Sequence, residues 1–530
     1  MKHDDIFRIA PRLAGAAKGE LEAMGAKAFD LARMARIGLP VPPAFVLGTR
    51  HCSRWYREPE RSKKGLPGLL EEQLRWLQSV TELGLGDSRK PLLVSVRSGA
   101  PLSMPGMMDT LLNIGLCDAT VHGLLRITGN PRLVWDSYCR LIRSFAEVVF
   151  GAGPQPFAVA LDALLLRERV DRFQELDYLS LAELSQIYIK IFMDLTGQPF
   201  PQNPLRQLEL AVQAVFNSWN SPRAVEYRRL HVIPDDLFTA ATIQRMVFGN
   251  AGGTCGAGVG FTRDPDSGEK RLYFDFLFNS QGEDVVSGRA TWSDTERLFT
   301  ALPESRPELQ AICSALEEEF RDAQEFEFTI QEGVLYLLQS RSAKRTPWAA
   351  LRIAVEQAGE GLIERGEALA RLDGLALDQI LRRRLSLEEQ QPLCQGQPAG
   401  IGVAFGPLVF DSDAAGRFAS EQGRAGVLVR EEMSTADIAG LALSAGMLTV
   451  RGNRTSHAAV VARQLGKPCV CGCSGLRIDP ARRVAVFGER TLAEGETITL
   501  DANTGRVYAG AAEIVIDRPT QWLDEIGKWK

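Results

Sequence analysis

The chain has 530 residues, of which 45% are hydrophobic and 24% are charged, as in ordinary folded globular proteins. At roughly 150 residues per domain, it should contain three or four domains. Its formal net charge of −5 argues against a general binder of nucleic acid or of anionic membranes. No apolar run reaches the ~18 residues of a spanning helix, and the N-terminus has no secretory signal. Nine cysteines are too few for a disulfide scaffold, so we expect reduced thiols and a cytoplasmic protein.

The first hundred residues mix helix and strand patterns. Apolar spacing predicts a helix over Leu21–Ile37, which the small-residue turn at Gly25 opens or interrupts. Short apolar runs predict strands over Ala44–Leu47 and over Pro91–Val96. These elements indicate a mixed α/β region.

The middle of the chain changes from helices back to strands. Val121–Asn217 has apolar residues at helical spacing, and Phe238–Asp284 reads as strands separated by glycine-rich turns. Glu325–Gln339 predicts a β-hairpin. The helical segment has no convergent polar group, so we interpret it as a structural insert.

A helical connector and a compact domain are predicted for the rest. Trp348–Leu385 has a helical pattern, and its Arg382–Arg384 triplet is interpreted as a solvated helix face. Gln395–Tyr508 is rich in glycine and valine, as in a domain of about 110 residues with short strands. The spacing of the three cysteines in CVCGC, Cys469, Cys471 and Cys473, is poor for tetrahedral zinc, so we assign them a structural role.

His457 has the clearest chemical context of the five histidines. A strand that ends at Arg451 and a glycine turn precede a helix that should begin near Ser456, with Thr455 or Ser456 as N-cap. His457 would then lie in the first turn, where free N–H groups and the two hydroxyls can bind phosphate oxygens. The helix dipole disfavours imidazolium and leaves the ring nucleophilic. The alternative is a histidine near a helix cap with no chemical role.

The surrounding segment, GNRTSHAAVVARQLGKPCVCGC, resembles the phosphohistidine motif of the pyruvate, phosphate dikinase family. The later segment GETITLDANTGRVYAG also resembles the end of that family's swivelling domain. Two residues depart from the motif: Asn453 replaces its second glycine, and Arg454 stands where the family often has methionine. Arg454 is expected either to pair with phosphate or to face solvent.

The N-terminal two-thirds contains separated residues suited to a phosphoryl donor. Lys27 follows a small-residue turn, and Arg97 projects from a strand end, so both can reach phosphates as cations. The segment Gly249–Gly260 predicts a glycine-rich hairpin whose amides could cover phosphates, although it lacks Walker A spacing. Glu325 and Glu327 share one face of a strand, as suits Mg²⁺. Each feature alone also fits a solvated face or a loose turn.

Taken in order, these segments resemble the ATP-grasp domain of the same family, as do SVRSGAPLSMPGMMDTLLNIG, GVGFTRDPDSGEK and NSQGEDVVSG. The Ser103–Asp109 loop distinguishes the chain from phosphoenolpyruvate synthases and rifampicin phosphotransferases. Glu325 stands where the family usually has Asp. The resemblance implies the following roles: Lys27, Arg97 and Arg341 bind phosphates, Gln339 contacts the nucleotide, Gln244, Met246 and Val247 line the adenine pocket, and Glu325 and Glu327 hold Mg²⁺.

We therefore expect a multidomain α/β protein in which an ATP-grasp domain with a helical insert is followed by a swivelling β/β/α phosphohistidine domain. The expected divisions are 1–120 and 236–346 for the two ATP-grasp parts, 121–235 for the insert, 347–393 for a hinge-like linker, 394–515 for the phosphohistidine domain and 516–530 for a second linker.

The resemblance implies a phosphotransferase with paired acceptors, ATP as substrate and Mg²⁺ as cofactor. His457 would take its phosphoryl group from the β position of ATP, with release of AMP, while the γ-phosphoryl group passes to phosphate. The family's C-terminal TIM barrel would need about 250 more residues. We thus expect pyruvate on a separate phosphoenolpyruvate-binding barrel protein, or another acceptor, to receive the group. The alternatives are a silent adenine-nucleotide-binding regulator and the N-terminal part of a split or longer dikinase. The oligomeric state stays open, with a homodimer as one option.

Overall fold

The structure is a computed structural model that describes residues 5–11, 20–102, 104, 108, 110–282, 295–386, 391–434, 437–452, 454, 456–473 and 475–529. The side chains of residues 295, 296 and 457 lie outside this description. The chain divides into two compact units: Met1–Gly252 with Tyr336–Gln339, and Gly253–Leu335 with Ser340–Lys530. Helices and sheets occur in both units, which confirms the prediction of a multidomain α/β protein.

The first unit contains an antiparallel sheet of five strands: β1 (Ile6–Ile9), β2 (Ala44–Leu47), β3 (Val94–Gly99), β4 (Thr110–Ile114) and β5 (Ala240–Arg245). Their order across the sheet is β1-β2-β5-β3-β4. The predicted strand over Ala44–Leu47 is confirmed. The one predicted from Pro91 begins three residues later, because Pro91 and Leu92 bridge to Gly84 instead.

Ten α-helices belong to the described part of this unit: α1 (Leu21–Met24), α2 (Ala26–Arg36), α3 (Thr49–Arg57), α4 (Pro59–Thr81), α5 (Asp118–Thr128), α6 (Pro131–Phe150), α7 (Gln155–Glu168), α8 (Tyr178–Thr196), α9 (Pro204–Ser218) and α10 (Pro222–Leu230). Helices α5 to α9 confirm the predicted helical segment. Three of them begin after an N-cap residue whose side chain accepts a hydrogen bond from a backbone N–H of the first turn; these residues are Asn130, Asp177 and Asn203. Short 3₁₀ turns cover Phe173–Glu175 and Asp235–Leu237.

The second unit begins with four strands: β6 (Gly256–Phe261), β7 (Tyr273–Phe278), β8 (Gln324–Gln331) and β9 (Val334–Ser342), in the order β7-β6-β8-β9. Two helices follow β7 in sequence, α11 (Thr295–Ala301) and α12 (Ser305–Phe320). Strands β8 and β9 confirm the predicted hairpin. Residues 336–339 of β9 belong to the first unit, where the Leu337 amide donates to the Pro40 carbonyl at 2.7 Å.

The glycine-rich hairpin predicted over Gly249–Gly260 is wrong in its second half, which is strand β6. The glycines of β6 leave room for aromatic rings from neighbouring strands. A Cβ atom on Gly256, Gly258 or Gly260 would lie within 2.5 Å of a phenylalanine ring. These glycines therefore serve packing, and their amides belong to a paired strand rather than to a phosphate loop.

The connector contains α13 (Pro347–Gly359), α14 (Arg365–Arg371), a 3₁₀ turn at Leu377–Gln379 and strand β10 (Arg382–Leu385). The interpretation of the arginine triplet as a helix face is wrong, because β10 pairs with the distant strand β22 (Ile514–Asp517). Helix α18 (Thr520–Gly527) packs against α13, with Trp348 and Trp522 rings 5.4 Å apart. The buried Arg263 guanidinium ties the connector to α12 by bonding Glu317, Glu356 and Glu360.

The last domain is built on an eight-stranded sheet in the order β11-β21-β20-β13-β14-β15-β16-β12. Its apolar residues form one core cluster that includes Leu408 and Leu448 and another that includes Leu428 and Ala459. Among the described helices of the whole chain, none is both long enough and apolar enough to cross a membrane. The elements of this domain are β11 (Cys394–Gln395), β12 (Gln397–Pro398), β13 (Val403–Val409), α15 (Ser412–Glu421), β14 (Val427–Arg430), α16 (Ile438–Leu443), β15 (Gly446–Thr449), α17 (His457–Gln464), β16 (Cys469–Cys471), β17 (Leu476–Asp479), β18 (Val484–Phe487), β19 (Arg490–Ala493), β20 (Thr497–Asp501) and β21 (Arg506–Ala509).

Candidate functional site

Arg97, in the first unit, donates hydrogen bonds to groups of three other residues. Its Nη2 atom donates to Gln339 Oε1 at 3.0 Å, and its Nη1 atom donates to the Leu338 carbonyl at 3.1 Å. A longer bond of 3.5 Å joins Nη1 to Gln244 Oε1. Arg97 on β3 and Gln244 on β5 are diagonal neighbours on one face of the sheet, because Ser95 lies opposite Gln244. The structure therefore brings together three residues that the sequence predicted separately.

The residues predicted to line an adenine pocket lie at and beyond the end of β5. Gln244 is buried, and its Nε2 atom donates to the Pro42 carbonyl at 3.3 Å. The Met246 amide donates to the Leu93 carbonyl at 2.9 Å, and Val247 is buried. The Gln244 side chain is thus held by protein groups, while the adenine role of all three residues stays a prediction.

Lys27 is positioned by a break between two helices. Gly25 separates α1 from α2 with a φ of 75°, which confirms that this glycine interrupts the helix. A side chain there would lie 1.9 Å from the Gly99 carbonyl oxygen, so only glycine permits this approach. A Cβ on Gly99 would meet Lys27 Cβ at 3.9 Å. Because Gly99 and Arg97 share a face of β3, the exposed Lys27 lies toward the same face as Arg97.

Glu325, Glu327 and Arg341 form the corresponding group of the second unit. Arg341 Nη2 donates to Glu325 Oε1, and in the described part of the chain no hydrogen-bond partner reaches the buried Oε2 atom. Burial acts to lower the pKa of Arg341, but the two carboxylates hold that pKa above its usual value. A buried carboxylate oxygen of this kind fits an oxygen-seeking cation. No group of three or more His, Cys, Asp or Glu side chains in the described residues could hold a metal ion, so Mg²⁺ would need ligands from the nucleotide as well.

His457 is the first residue of α17, as predicted, although its side chain and all of Thr455 lie outside the described residues. Ser456 occupies the N-cap position with an extended backbone, but its side chain makes no capping bond. Its buried hydroxyl lies 3.7 Å from Cys471 Sγ. The hydroxyl is directed to the interior in this conformation, so its contact with phosphate stays a prediction.

Two arginines close to His457 in sequence make contacts that the sequence did not predict. Arg463, at the other end of α17, donates from Nε to Asp266 Oδ1 at 2.7 Å and from Nη2 to the Tyr273 hydroxyl at 3.1 Å. Arg454 lies 3.4 Å from Asp275 and over the Tyr273 ring at 5.0 Å. The expectation that Arg454 pairs with phosphate or faces solvent is therefore replaced by a protein contact. The segment TRDPDSGEK contains Asp266, and its acidic residues were a sequence signal that could have pointed to the contact with Arg463.

Two family models match the chain. Residues 62–303 match the model described as "Pyruvate phosphate dikinase, AMP/ATP-binding domain". Residues 423–505, which include His457, match "PEP-utilising enzyme, mobile domain". Together they support the expected ATP-grasp and phosphohistidine domains.

Several known proteins that are similar to this chain are named pyruvate, phosphate dikinase. Pyruvate, phosphate dikinase of Rhizobium meliloti is 42% identical over 532 residues, covering 97% of this chain and 59% of the relative. Pyruvate, phosphate dikinase 2 of Zea mays is 41% identical, covering 99% of this chain and 60% of the relative. The Clostridium symbiosum protein is 42% identical, covering 92% of this chain and 56% of the relative. The chain thus spans somewhat more than half the length of the relatives it matches.

Proposed function

Because the chain belongs to the pyruvate, phosphate dikinase family, we propose that it is an ATP-dependent phosphotransferase in which His457 carries the phosphoryl group. The observation that carries this proposal is the position of His457 as the first residue of α17, within the segment that matches the mobile domain. The first turn of a helix presents free N–H groups and the positive end of the dipole to a phosphate. The same field disfavours imidazolium and leaves an unprotonated ring nitrogen for attack.

The first transfer forms a bond from the imidazole nitrogen to the β-phosphorus of ATP and breaks the bond to the oxygen that bridges the α- and β-phosphorus atoms. AMP leaves with that oxygen, and His457 carries a pyrophosphoryl group. An oxygen of inorganic phosphate then attacks the γ-phosphorus, which releases pyrophosphate and leaves phosphohistidine. The names of the relatives suggest pyruvate as the final acceptor.

We assign phosphate binding to three cations, Lys27, Arg97 and Arg341. Amide and carbonyl oxygens orient the Arg97 guanidinium. A preorganised cation of this kind stabilises the charge that develops on transferring phosphoryl groups. Gln339 would contact the nucleotide beside Arg97, while Gln244, Met246 and Val247 would contribute to its adenine pocket.

Mg²⁺ would be held by Glu325 and Glu327, with nucleotide oxygens completing its coordination. When bound, it supplies charge neutralisation on the phosphates during transfer. The chain's own contribution is to hold the Glu325 carboxylate in place through Arg341.

The proposal extends to the cellular compartment. All nine cysteines are free thiols, as expected in a reducing environment, so we assign the chain to the cytoplasm. Homodimer formation stays a prediction.

The test is to incubate the protein with Mg²⁺, phosphate and ATP labelled at the β-phosphoryl group. We expect an acid-labile, alkali-stable label on the wild type, formation of AMP, and no label on His457→Ala. His122→Ala is the matched control, because His122 is exposed on α5 and has no proposed role. An unlabelled wild type, or equal labelling of His457→Ala, would refute the proposal. ATP binding without AMP formation would favour a silent regulator instead.

A further inference from the structure

Arg463 is almost completely buried although it belongs to a domain expected to move. Only 1% of its side chain is exposed, and its partners Asp266 and Tyr273 lie in and beside the turn between β6 and β7. The Tyr273 hydroxyl also donates to Asp266 at 3.3 Å, which closes a triangle of three polar groups. Asp266 and Tyr273 fall within the matched AMP/ATP-binding segment, whereas Arg463 falls within the mobile-domain segment.

Arg454 makes a second contact between the same two segments, three residues before His457. Its Nε atom lies 3.4 Å from the carboxylate of Asp275, a side chain on β7 that is fully buried. The two arginines therefore flank His457 in sequence, and both contact the β6–β7 hairpin. Two separated contacts fix the orientation of a helix as well as its position.

The hairpin presents these partners on a particular face of its sheet. Phe261 on β6 lies opposite both Tyr273 on β7 and Glu325 on β8. Val259 likewise lies opposite both Asp275 and Glu327. Directly opposed residues of antiparallel strands point to the same face, and neighbouring strands are about 4.8 Å apart. The contacts of Arg454 and Arg463 are therefore on the face that carries the predicted magnesium ligands, about 10 Å away across the sheet.

We propose that Asp266, Tyr273 and Asp275 form a docking site for Arg454 and Arg463, and that this site positions α17 for the first phosphoryl transfer. The proposal rests on the proposed function, since it gives docking a role in loading His457. The contacts are ionic and aromatic rather than purely apolar. Water can hydrate the same groups after separation, and a domain that must return to an acceptor needs such a reversible interface.

The test compares Arg454→Glu with Arg454→Lys. Glutamate opposite Asp275 replaces attraction with repulsion, whereas lysine retains the charge. Arg454 is 30% exposed, so the chain should tolerate the substitution. Arg417→Glu is the matched control, because Arg417 is an exposed arginine of the same domain on α15, paired with Glu494. Asp266→Asn tests the second contact.

Two readouts are measured on each full-length variant. Hydrogen exchange reports docking directly, and we expect faster exchange in α17 and in β7 of Arg454→Glu, with protection lowered about tenfold. Single-turnover labelling from β-labelled ATP reports transfer, and we expect its rate to fall about tenfold to a hundredfold. Binding of a non-hydrolysable ATP analogue should not change. Phosphorylation by the small donor phosphoramidate, which needs no docking, should proceed at least as fast as in the wild type.

Recovery by Arg454→Lys, together with wild-type behaviour of Arg417→Glu, would support the docking site. Unchanged exchange and unchanged labelling in both Arg454→Glu and Asp266→Asn would overturn it. Equal loss of labelling from ATP and from phosphoramidate would also overturn it, because general damage to α17 would then explain the result. Faster exchange in variants of a wild type that takes no label would support docking but refute the proposed function.

Discussion

Arg97 in the first unit and Arg463 in the second are both held by hydrogen bonds, but their acceptors differ in charge. Arg97 donates to amide and carbonyl oxygens and is half-buried. Arg463 is buried against the carboxylate of Asp266 and the hydroxyl of Tyr273. Burial acts to lower the pKa of Arg463, yet these partners raise that pKa above its usual value.

The difference separates two uses of the same side chain. Amide and carbonyl acceptors can orient a guanidinium toward a phosphate, as we propose for Arg97. A carboxylate consumes the charge in a contact within the protein, and the buried pair depends on both partners.

The largest effect should follow removal of the matched charge in the second unit. Arg463→Met leaves Asp266 without its cation in the docked conformation, and we expect the stability of that conformation relative to the undocked one to fall by about 3–5 kcal/mol. Hydrogen exchange in α17 measures this loss. Asp266→Asn combined with Arg463→Met removes both charges and should recover most of it. A loss below about 1 kcal/mol for the single variant would contradict the interpretation of a matched buried pair.

Arg97→Met should have the opposite profile. We expect the rate of His457 labelling to fall about 10²–10³-fold, as on removal of a charged donor from a transition state. The stability of the docked conformation should change little, because Arg97 is not one of the docking residues. Arg75→Met, on the exposed face of α4, is the control. A stability loss comparable to that of Arg463→Met would erase the distinction between the two arginines.

The spacing of apolar and polar residues correctly predicted the elements that depend mainly on their own sequence. The strand Ala44–Leu47, the helical insert and the β8–β9 hairpin all followed from residue spacing. The prediction of a helix face at Arg382–Arg384 was wrong, because these residues form a strand that pairs with β22, more than a hundred residues away. The prediction of a glycine-rich hairpin at β6 was wrong for a similar reason, since aromatic rings from β7 and β8 determine how these glycines pack.

The candidate site divides in the same way. The motif around His457 identified α17, and the hairpin alternation placed Glu325 and Glu327 on one strand face. The sequence could not pair Arg463 with Asp266, because 197 residues separate them and each has an ordinary local context. Nor could it foresee the Leu338 carbonyl beside Arg97, since any residue type supplies the same backbone atom.

Asp30 extends the comparison to a carboxylate of the first unit. It lies on α2 one turn after Lys27, and burial raises its pKa to about 7 although Arg33 acts to lower it. Because the folded pKa is above the unfolded value, its contribution to stability is complete below pH ~4 and is lost as the pH rises through 7. Asp30→Asn should therefore be more stable than the wild type by about 4 kcal/mol at pH 8 and equally stable below pH 4. Thermal unfolding across this range measures the difference, and a pH-independent difference would exclude titration of Asp30 as its cause.

Glu325 combines a contact within the protein with a proposed ligand contact. Arg341 bonds one of its carboxylate oxygens, while the other oxygen is buried and available to a cation. Glu325→Gln keeps the shape but removes the charge, so we expect about tenfold weaker Mg²⁺ binding in the presence of a non-hydrolysable ATP analogue. Isothermal titration measures this change, and labelling at saturating Mg²⁺ should recover in part. Glu332→Gln, at the exposed tip of the β8–β9 hairpin, is the control. Unchanged Mg²⁺ affinity in Glu325→Gln would mean that its free oxygen serves only the pair with Arg341, as the carboxylate of Asp266 serves Arg463.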